Sequence, residues 1–305
     1  MALTLAEAAK LSNDVVLQGV YESVLKSSDI SLVLPFTELN GNALTYNREN
    51  VAPTVAYHDV GDTWTEGVAT FTQLSKALCI LGGDADVDRY IAISRSNVQD
   101  IQATIILGKA QALQRKFDDG LINATGTGTP LEMEGLDVIM TGLGAAQKRI
   151  CTGGANGGTL TLDELDTLID MVQGGAPDFL LMSKRSRRKM SNLFRASGAS
   201  METRADFGRW IAVYNGIPIL LSDYISDAQT VGTSSDCSSI YAGKLGEDQG
   251  GLYAVYNSGG AGTPIMIEDI GALETKDATR TRLKMYVQLC QGSAVTLARL
   301  NGVRP

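Results

Sequence analysis

The pattern of apolar and polar positions is clearest in one long run. Val98, Ile101, Ile105, Ala112, Leu113, Phe117 and Leu121 recur at three- and four-residue steps, with Gln102, Lys109, Gln111, Gln114, Arg115 and Asp118 between them. That spacing predicts one amphipathic helix from Asn97 to Ala124, and Ser96 with Gln99 supplies a capping pair at its start. Such a helix would be about 40 Å long, more than a domain of this size needs for its own core. Part of it is therefore expected to meet another chain.

Ahead of the helix the period changes. Ala43 to Tyr57 and Ala69 to Ile80 alternate or favour β-branched and aromatic residues, and His58, Asp59, Gly61, Asp62 and Gly67 mark a polar connection. These residues predict an extended hairpin. Its arms hold too few large apolar residues to stand alone, because an isolated hairpin is marginal in water. It is expected to rest on a partner.

Upstream, Thr4 and Glu7 form a capping box before a stripe of Val16, Leu17, Val20, Tyr21, Val24 and Leu25, which reads as a helical N-terminal arm. From Ser27 to Phe36 the chain turns extended, and Pro35 excludes a continuing helix. Downstream, Gly126, Gly128 and Pro130 break the chain, and a mixed α/β region begins near Leu131. It contains a helix capped by Thr161 and Glu164 that runs to Val172, a buried strand from Phe179 to Met182, and a basic helix from Ser183 to Arg195. Asn215-Gly216 joins a hairpin of Trp210–Tyr214 and Ile217–Leu221, with Pro218 needing an edge or a strand start. Thr279 to Leu289 and Ala294 to Leu300 read as closing strands.

Composition narrows the function classes. Against 26 basic residues stand 34 acidic ones, a net charge of −8, which argues against nucleic-acid binding by the chain as a whole. Cys79, Cys151, Cys237 and Cys290 lie too far apart for a metal motif or a disulfide framework, so a reducing compartment is expected. The N-terminus lacks a basic first region and a long apolar stretch, and no run approaches the roughly 18 apolar residues of a membrane span. The chain is expected to be soluble and not secreted.

Candidate chemistry is thin. His58 is the only histidine and sits in a turn, where a solvated residue is expected rather than a catalytic base. Ser186-x-x-Lys189 matches an acyl-enzyme pattern, but Ser23-x-x-Lys26 matches it equally. Asp84, Asp86 and Asp88 resemble a calcium loop, yet Arg89 stands at the glycine position and Arg95 at the closing glutamate. They leave a polar strand face, with a weak cation contact as the alternative. The glycine runs at 153–158 and 142–144 lack the remaining residues of a phosphate loop or a dinucleotide fingerprint, and both read as flexible surface loops. Lys184, Arg185, Arg187, Arg188 and Lys189 form a dense basic cluster, which suits a solvated helix face, an acidic neighbouring subunit or DNA. No catalytic residue, cofactor or metal site is expected.

The order of these pieces is itself informative. An arm from Leu3 to Leu25 precedes a hairpin from Ala43-Leu44-Thr45-Tyr46 to Gly82-Gly83-Asp84 and then the overlong helix. Asn215-Gly216-Ile217-Pro218 with Ser222-Asp223 follows, and Arg282-Leu283-Lys284-Met285-Tyr286 closes the chain. Over nearly its whole length the sequence resembles tailed-bacteriophage major capsid proteins of the Hong Kong 97 type, in the group whose precursor needs no long N-terminal scaffolding segment. The resemblance implies an α+β fold. Residues 1–42 would be the N-terminal arm, 43–83 an extended loop, 84–130 and 265–305 a peripheral domain with the spine helix, and 131–264 an α/β axial domain.

The resemblance also implies hexamers and pentamers that tile an icosahedral shell around double-stranded DNA, bound without sequence specificity. Portal, scaffolding and decoration proteins are the further partners it suggests, and the location would be a virion, made in the host bacterial cytoplasm without a membrane. An encapsulin-type cargo nanocompartment shares the fold and is the alternative; a soluble intracellular enzyme is the remote one. Some members form isopeptide links from a lysine on the extended loop, but no lysine lies between Lys26 and Lys76, so noncovalent contacts are expected here. Arg48, Glu49, Asp62 and Glu66 on the hairpin are expected to meet a neighbour near Arg115, Lys116 and Asp118 on the spine helix.

Overall fold

Three largely buried strands organise the larger sheet of the computed structural model, which describes residues 28–95, 101–128, 131–198, 202–206, 209–260 and 262–304. The strands are Phe179–Met182, Ser234–Gly243 and Leu297–Arg304. Leu180, Met182, Ile240, Ala242, Ala298 and Leu300 turn to one face, where Leu165, Leu168 and Met190 of the helices Leu162–Asp170 and Lys184–Ala196 cover them. Phe179, Leu181, Tyr241 and Leu297 turn to the other face, against Leu136 and Met140 of the helix Leu136–Gly142. A strand buried on both faces reads as a continuous apolar run, which is why Phe179-Leu180-Leu181-Met182 shows no alternation.

Among the described residues this sheet has nine strands, in the order Lys148–Ile150, Leu297–Arg304, Ser234–Gly243, Phe179–Met182, Ile217–Leu221, Arg209–Tyr214, Glu202–Asp206, with two short strands beside that path. Asn215 and Gly216 carry φ of 49° and 79°, the left-handed pair that a two-residue hairpin turn requires. Pro218 lies ahead of Ile219, where parallel pairing to Leu180 begins, so its missing N–H removes nothing from that ladder.

The smaller, five-stranded sheet is built on Ala278–Gln291. Cys79–Asp88 pairs along one edge of it, from Ala278 opposite Asp88 to Val287 opposite Cys79. On the other edge Ile265–Ala272 pairs with its first half and Leu252–Asn257 with its second, and Phe36–Glu38 extends the sheet in parallel. The long helix, described from Ile101 to Asn123, lays Leu113, Phe117 and Leu121 into the core with Leu283, Met285 and Val287. The Ser96–Gln99 capping pair and the arm residues 1–27 lie outside the described residues.

Two sequence expectations change here. The closing strand Leu297–Arg304, grouped with the peripheral residues in sequence, sits inside the nine-stranded sheet, while Leu252–Asn257, grouped with the axial residues, belongs to the five-stranded one. Chain order does not fix sheet membership, because Gly292 lets the chain leave one sheet and enter the other within six residues. The glycines at 153–158 are not a free loop. Gly158-Thr159 pairs with Val303-Arg304, and a Cβ on Gly157, at φ 69°, would lie 2.2 Å from the Gly302 carbonyl oxygen. Asp84 and Asp86 stand on the polar strand face expected of them, and in place of the alternative cation Arg282 and Arg280, their cross-strand partners, hold them bidentately at 2.6–3.1 Å. Those guanidinium hydrogen bonds keep both carboxyls below the ordinary aspartate value.

The helix Leu162–Asp170 is anchored twice. Thr161 Oγ1 accepts from the Glu164 N–H at 3.3 Å, and the buried Glu164 carboxylate accepts from Arg149 Nε at 2.8 Å and from the Thr152 N–H at 2.9 Å. Arg149 hydrogen bonding holds the Glu164 carboxyl below the usual 4.5. Glu164→Ala is expected to cost about 2 kcal/mol, less than a fully buried pair, because Arg149 stays partly open to water. A depressed pKa stabilises the fold fully above the unfolded value and loses that contribution as the pH falls. Urea unfolding from about pH 7 down to pH 3 should therefore show the two proteins converging at the acid end.

Candidate subunit interface

The hairpin pairs only near its root. Ala43–Val51 and Thr70–Ala77 form an antiparallel ladder from Ala43 opposite Ala77 to Glu49 opposite Phe71, with a bulge before Val51. Tyr46 Oη donates to the Gln291 carbonyl at 2.9 Å, and Arg48 donates to the Gln291 and Gly292 carbonyls at 2.7 and 3.0 Å. Arg48, expected to reach a neighbour, is thus engaged in tying the hairpin to its own sheet. Residues 52–69 continue outward without strand pairing. The two arms still run close, since a Cβ on Gly67 would lie 2.4 Å from the Thr54 carbonyl oxygen.

This distal half exposes what a free-standing chain would bury. Val55 is 93% exposed, Tyr57 106%, Val60 102% and Trp64 78%. Scattered apolar residues are normal on a surface, but a contiguous set marks a contact site. His58 stacks on Trp64 with ring centroids 4.2 Å apart, and the Asp62 carboxylate accepts from the Asp59 N–H at 2.7 Å to fix the turn. Glu49, Asp62 and Glu66 are exposed.

The long helix is covered unevenly. Its C-terminal half buries Leu113, Phe117, Leu121 and Ile122, whereas Leu107 in its N-terminal half is exposed. Lys116 is exposed and Arg115 partly so. Lys116 overhangs a groove of about 180 Å³ between the helix and the strand Cys79–Asp88, whose walls include Ile80, Leu81, Leu131 and Met133. Ile80 and Leu131 stand out of it, 74% and 48% exposed. Asp118 corrects the expectation of a surface contact: it is buried, and its Oδ1 has no hydrogen-bond partner among the described residues. The heptad-like spacing placed it on the polar face, but the segment Ile30–Val33 covers that part of the helix, with the Ser31 hydroxyl against the carboxyl.

The basic cluster forms a second feature. Ser183 caps the helix Lys184–Ala196 by accepting from the Ser186 N–H, and both serines are buried. Lys184 pairs with Asp223 at 2.7 Å and Arg185 with Asp227 at 3.4 Å. Arg187, Arg188 and Arg195 complete the wall of an open cleft of about 570 Å³, which Lys189, half-buried, does not line. The cysteines are buried and free, and burial pushes Cys151 up to about 11 and Cys290 to about 12, the opposite of a reactive thiolate. No group of three or more metal-ligating side chains occurs among the described residues, and no helix there is long and apolar enough to cross a membrane.

The polar residues named from sequence are accordingly divided: Glu49, Asp62, Glu66 and Lys116 lie on open surface, while Arg48 and Asp118 are used internally. Sequence reasoning passed over Val55, Tyr57, Val60 and Trp64. The signal was present as an aromatic residue between threonines in a polar turn, Thr63-Trp64-Thr65.

No protein-family model matches the chain, and no curated protein matches it in sequence. Solved structures match over its whole length. The holo-SrpI encapsulin complex of Synechococcus elongatus PCC 7942 aligns with a TM-score of 0.71 at 18% identity, covering 100% of this chain and 97% of that one. The capsid of an empty GTA particle aligns at 0.67 and 12% identity, covering 98% of each chain. A structure from Microbacterium phage Oxtober96 aligns at 0.64 and 13% identity, covering 98% of this chain and 99% of that one. The chain has the Hong Kong 97-type capsid fold.

Proposed function

We propose that this chain is a shell protein whose work is self-assembly, and specifically a major capsid protein that forms hexamers and pentamers of an icosahedral shell around double-stranded DNA. The observation that carries the reading is the exposed apolar distal hairpin on a chain that follows a shell fold from end to end. A hairpin that reaches away from its own core needs a neighbour's surface to cover Tyr57 and Trp64, and closed symmetric assemblies supply one at every position. Its acidic tip, with Asp59, Asp62 and Glu66, is opposite in charge to Lys116, which lines the groove beside the next copy's long helix, and to Arg115 next to it in sequence. No catalytic step or cofactor enters this function. Double-stranded DNA is held without sequence readout, and portal, scaffolding and decoration proteins are further partners of the same reading.

An encapsulin-type cargo shell is the second reading, favoured by the 0.71 TM-score and 18% identity of the encapsulin alignment. Electron microscopy of the purified chain tests the common part: closed shells, or rings of five and six, are expected, and a monomer under every salt condition would refute it. Particles from the native source then separate the two. Nuclease-protected double-stranded DNA is expected of the capsid, whereas a protein cargo without DNA would give the encapsulin reading its place.

A further inference from the structure

We propose that the basic cleft is a docking site for the acidic helix Leu162–Asp170 of a second copy of this chain; the inference rests on the shell reading and names one of its contacts. Lys184, Arg187, Arg188, Ser191 and Arg195 recur at three- and four-residue steps, so one helix face carries the positive stripe. Lys184 and Arg185 are neutralised inside the copy by Asp223 and Asp227. Arg187 and Arg188 are exposed and make no ion pair among the described residues.

The complementary stripe is on the neighbouring helix. Asp163, Asp166 and Asp170 also recur at three- and four-residue steps, and all three are exposed. Asp166 accepts from Tyr214 Oη at 2.6 Å, while Asp163 and Asp170 have no ion pair among the described residues. The positive stripe spans about 17 Å and the negative one about 10 Å at helical rise, so the longer face accommodates the whole of the shorter. Both helices cover the same face of the nine-stranded sheet. They meet at Tyr214, which takes the Phe194 ring at 5.8 Å on one side and Asp166 on the other. Each copy therefore presents both halves of the contact on one layer, as a repeated self-association requires.

Charge decides the occupant. A nucleic-acid backbone entering the cleft would bring phosphates against the Asp227 carboxylate in its wall on a chain of net charge −8, and backbone binding needs a net excess of cations. A short helix with three carboxylates needs only the outer arginines.

The test compares the wild type with Arg187→Glu/Arg188→Glu, with Asp163→Lys/Asp170→Lys, and with all four changes together, after circular dichroism confirms that each is folded. Each pair alone should raise the protein concentration needed for assembly about tenfold, the effect of losing a few surface ion pairs per contact. The fourfold swap should return it to within about threefold of wild type, and the difference should shrink between about 50 and 500 mM salt. Arginine variants that assemble like wild type at every salt would overturn the contact and leave the shell reading standing. So would a swap that fails to recover. Assembly that persists while retention of a short DNA duplex is lost would assign the cleft to nucleic acid instead. A wild-type chain that never assembles would overturn the shell reading alone, and sedimentation at low salt would then score the same variants as weak dimers.

Discussion

Tyr57→Ser with Trp64→Ser should leave a folded chain that no longer forms shells. Both side chains are exposed, and Trp64 stacks on the His58 ring of its own turn. Their loss removes nothing from either core, so the melting temperature should stay within about 2 °C of wild type. In the assembly each would bury a large aromatic surface, worth roughly 2–3 kcal/mol apiece. Losing both from every contact weakens one interface by a factor on the order of a thousand, and a shell repeats that loss around each ring.

The comparison that isolates the effect is Asp62→Ala with Glu66→Ala. Those carboxylates lie at the rim, where an exposed ion pair contributes about 1 kcal/mol or less, so that variant should still assemble, with greater sensitivity to salt. Sizing chromatography followed by electron microscopy reads both. If the aromatic variant gave normal particles, the distal hairpin would not be the contact, and the exposed groove and edge strand Ile265–Ala272 would have to carry assembly by themselves.

How much of this was legible in the sequence depends on the physics of each element. The long helix, the Asn215-Gly216 hairpin, the Thr161 cap and the buried strand at Phe179 rest on local rules, a period or a left-handed turn, and the structure has them at or near the positions expected. Arg48, Asp118 and the glycines at 153–158 were misread for one shared reason. Each is set by a segment far away in sequence: Arg48 by Gln291 and Gly292, Asp118 by the segment of Ile30 packed on its helix, and Gly157 by Gly302. A helical wheel assigns Asp118 to water because it sees only its own helix. A glycine run looks flexible until a second backbone lies against it. The exposed hairpin residues were missed for the opposite reason, since an apolar side chain in a polar turn carries no periodic signal.

The buried Asp118 should make stability fall as the pH rises. Burial, with no partner for Oδ1 among the described residues and offset in part by the Ser31 hydroxyl, pushes its carboxyl from 3.8 up to about 6. The folded state therefore binds the proton more tightly than the unfolded chain does. Its contribution is fully present below the unfolded value of 3.8 and is lost as the pH rises through about 6. A rise of that size corresponds to about 3 kcal/mol, so the chain should lose roughly 2–3 kcal/mol between about pH 4 and pH 7 from this group. Asp118→Asn, neutral at every pH, should abolish that slope and be the more stable protein at about pH 8 by roughly 2 kcal/mol. Urea midpoints of the two across that range read the difference, with the unfolded monomer as the common end state. A wild-type chain as pH-dependent as the Asn variant would show that Asp118 finds a charged partner, and the arm residues 1–27, which lead directly into the segment that covers it, would be the first place to look.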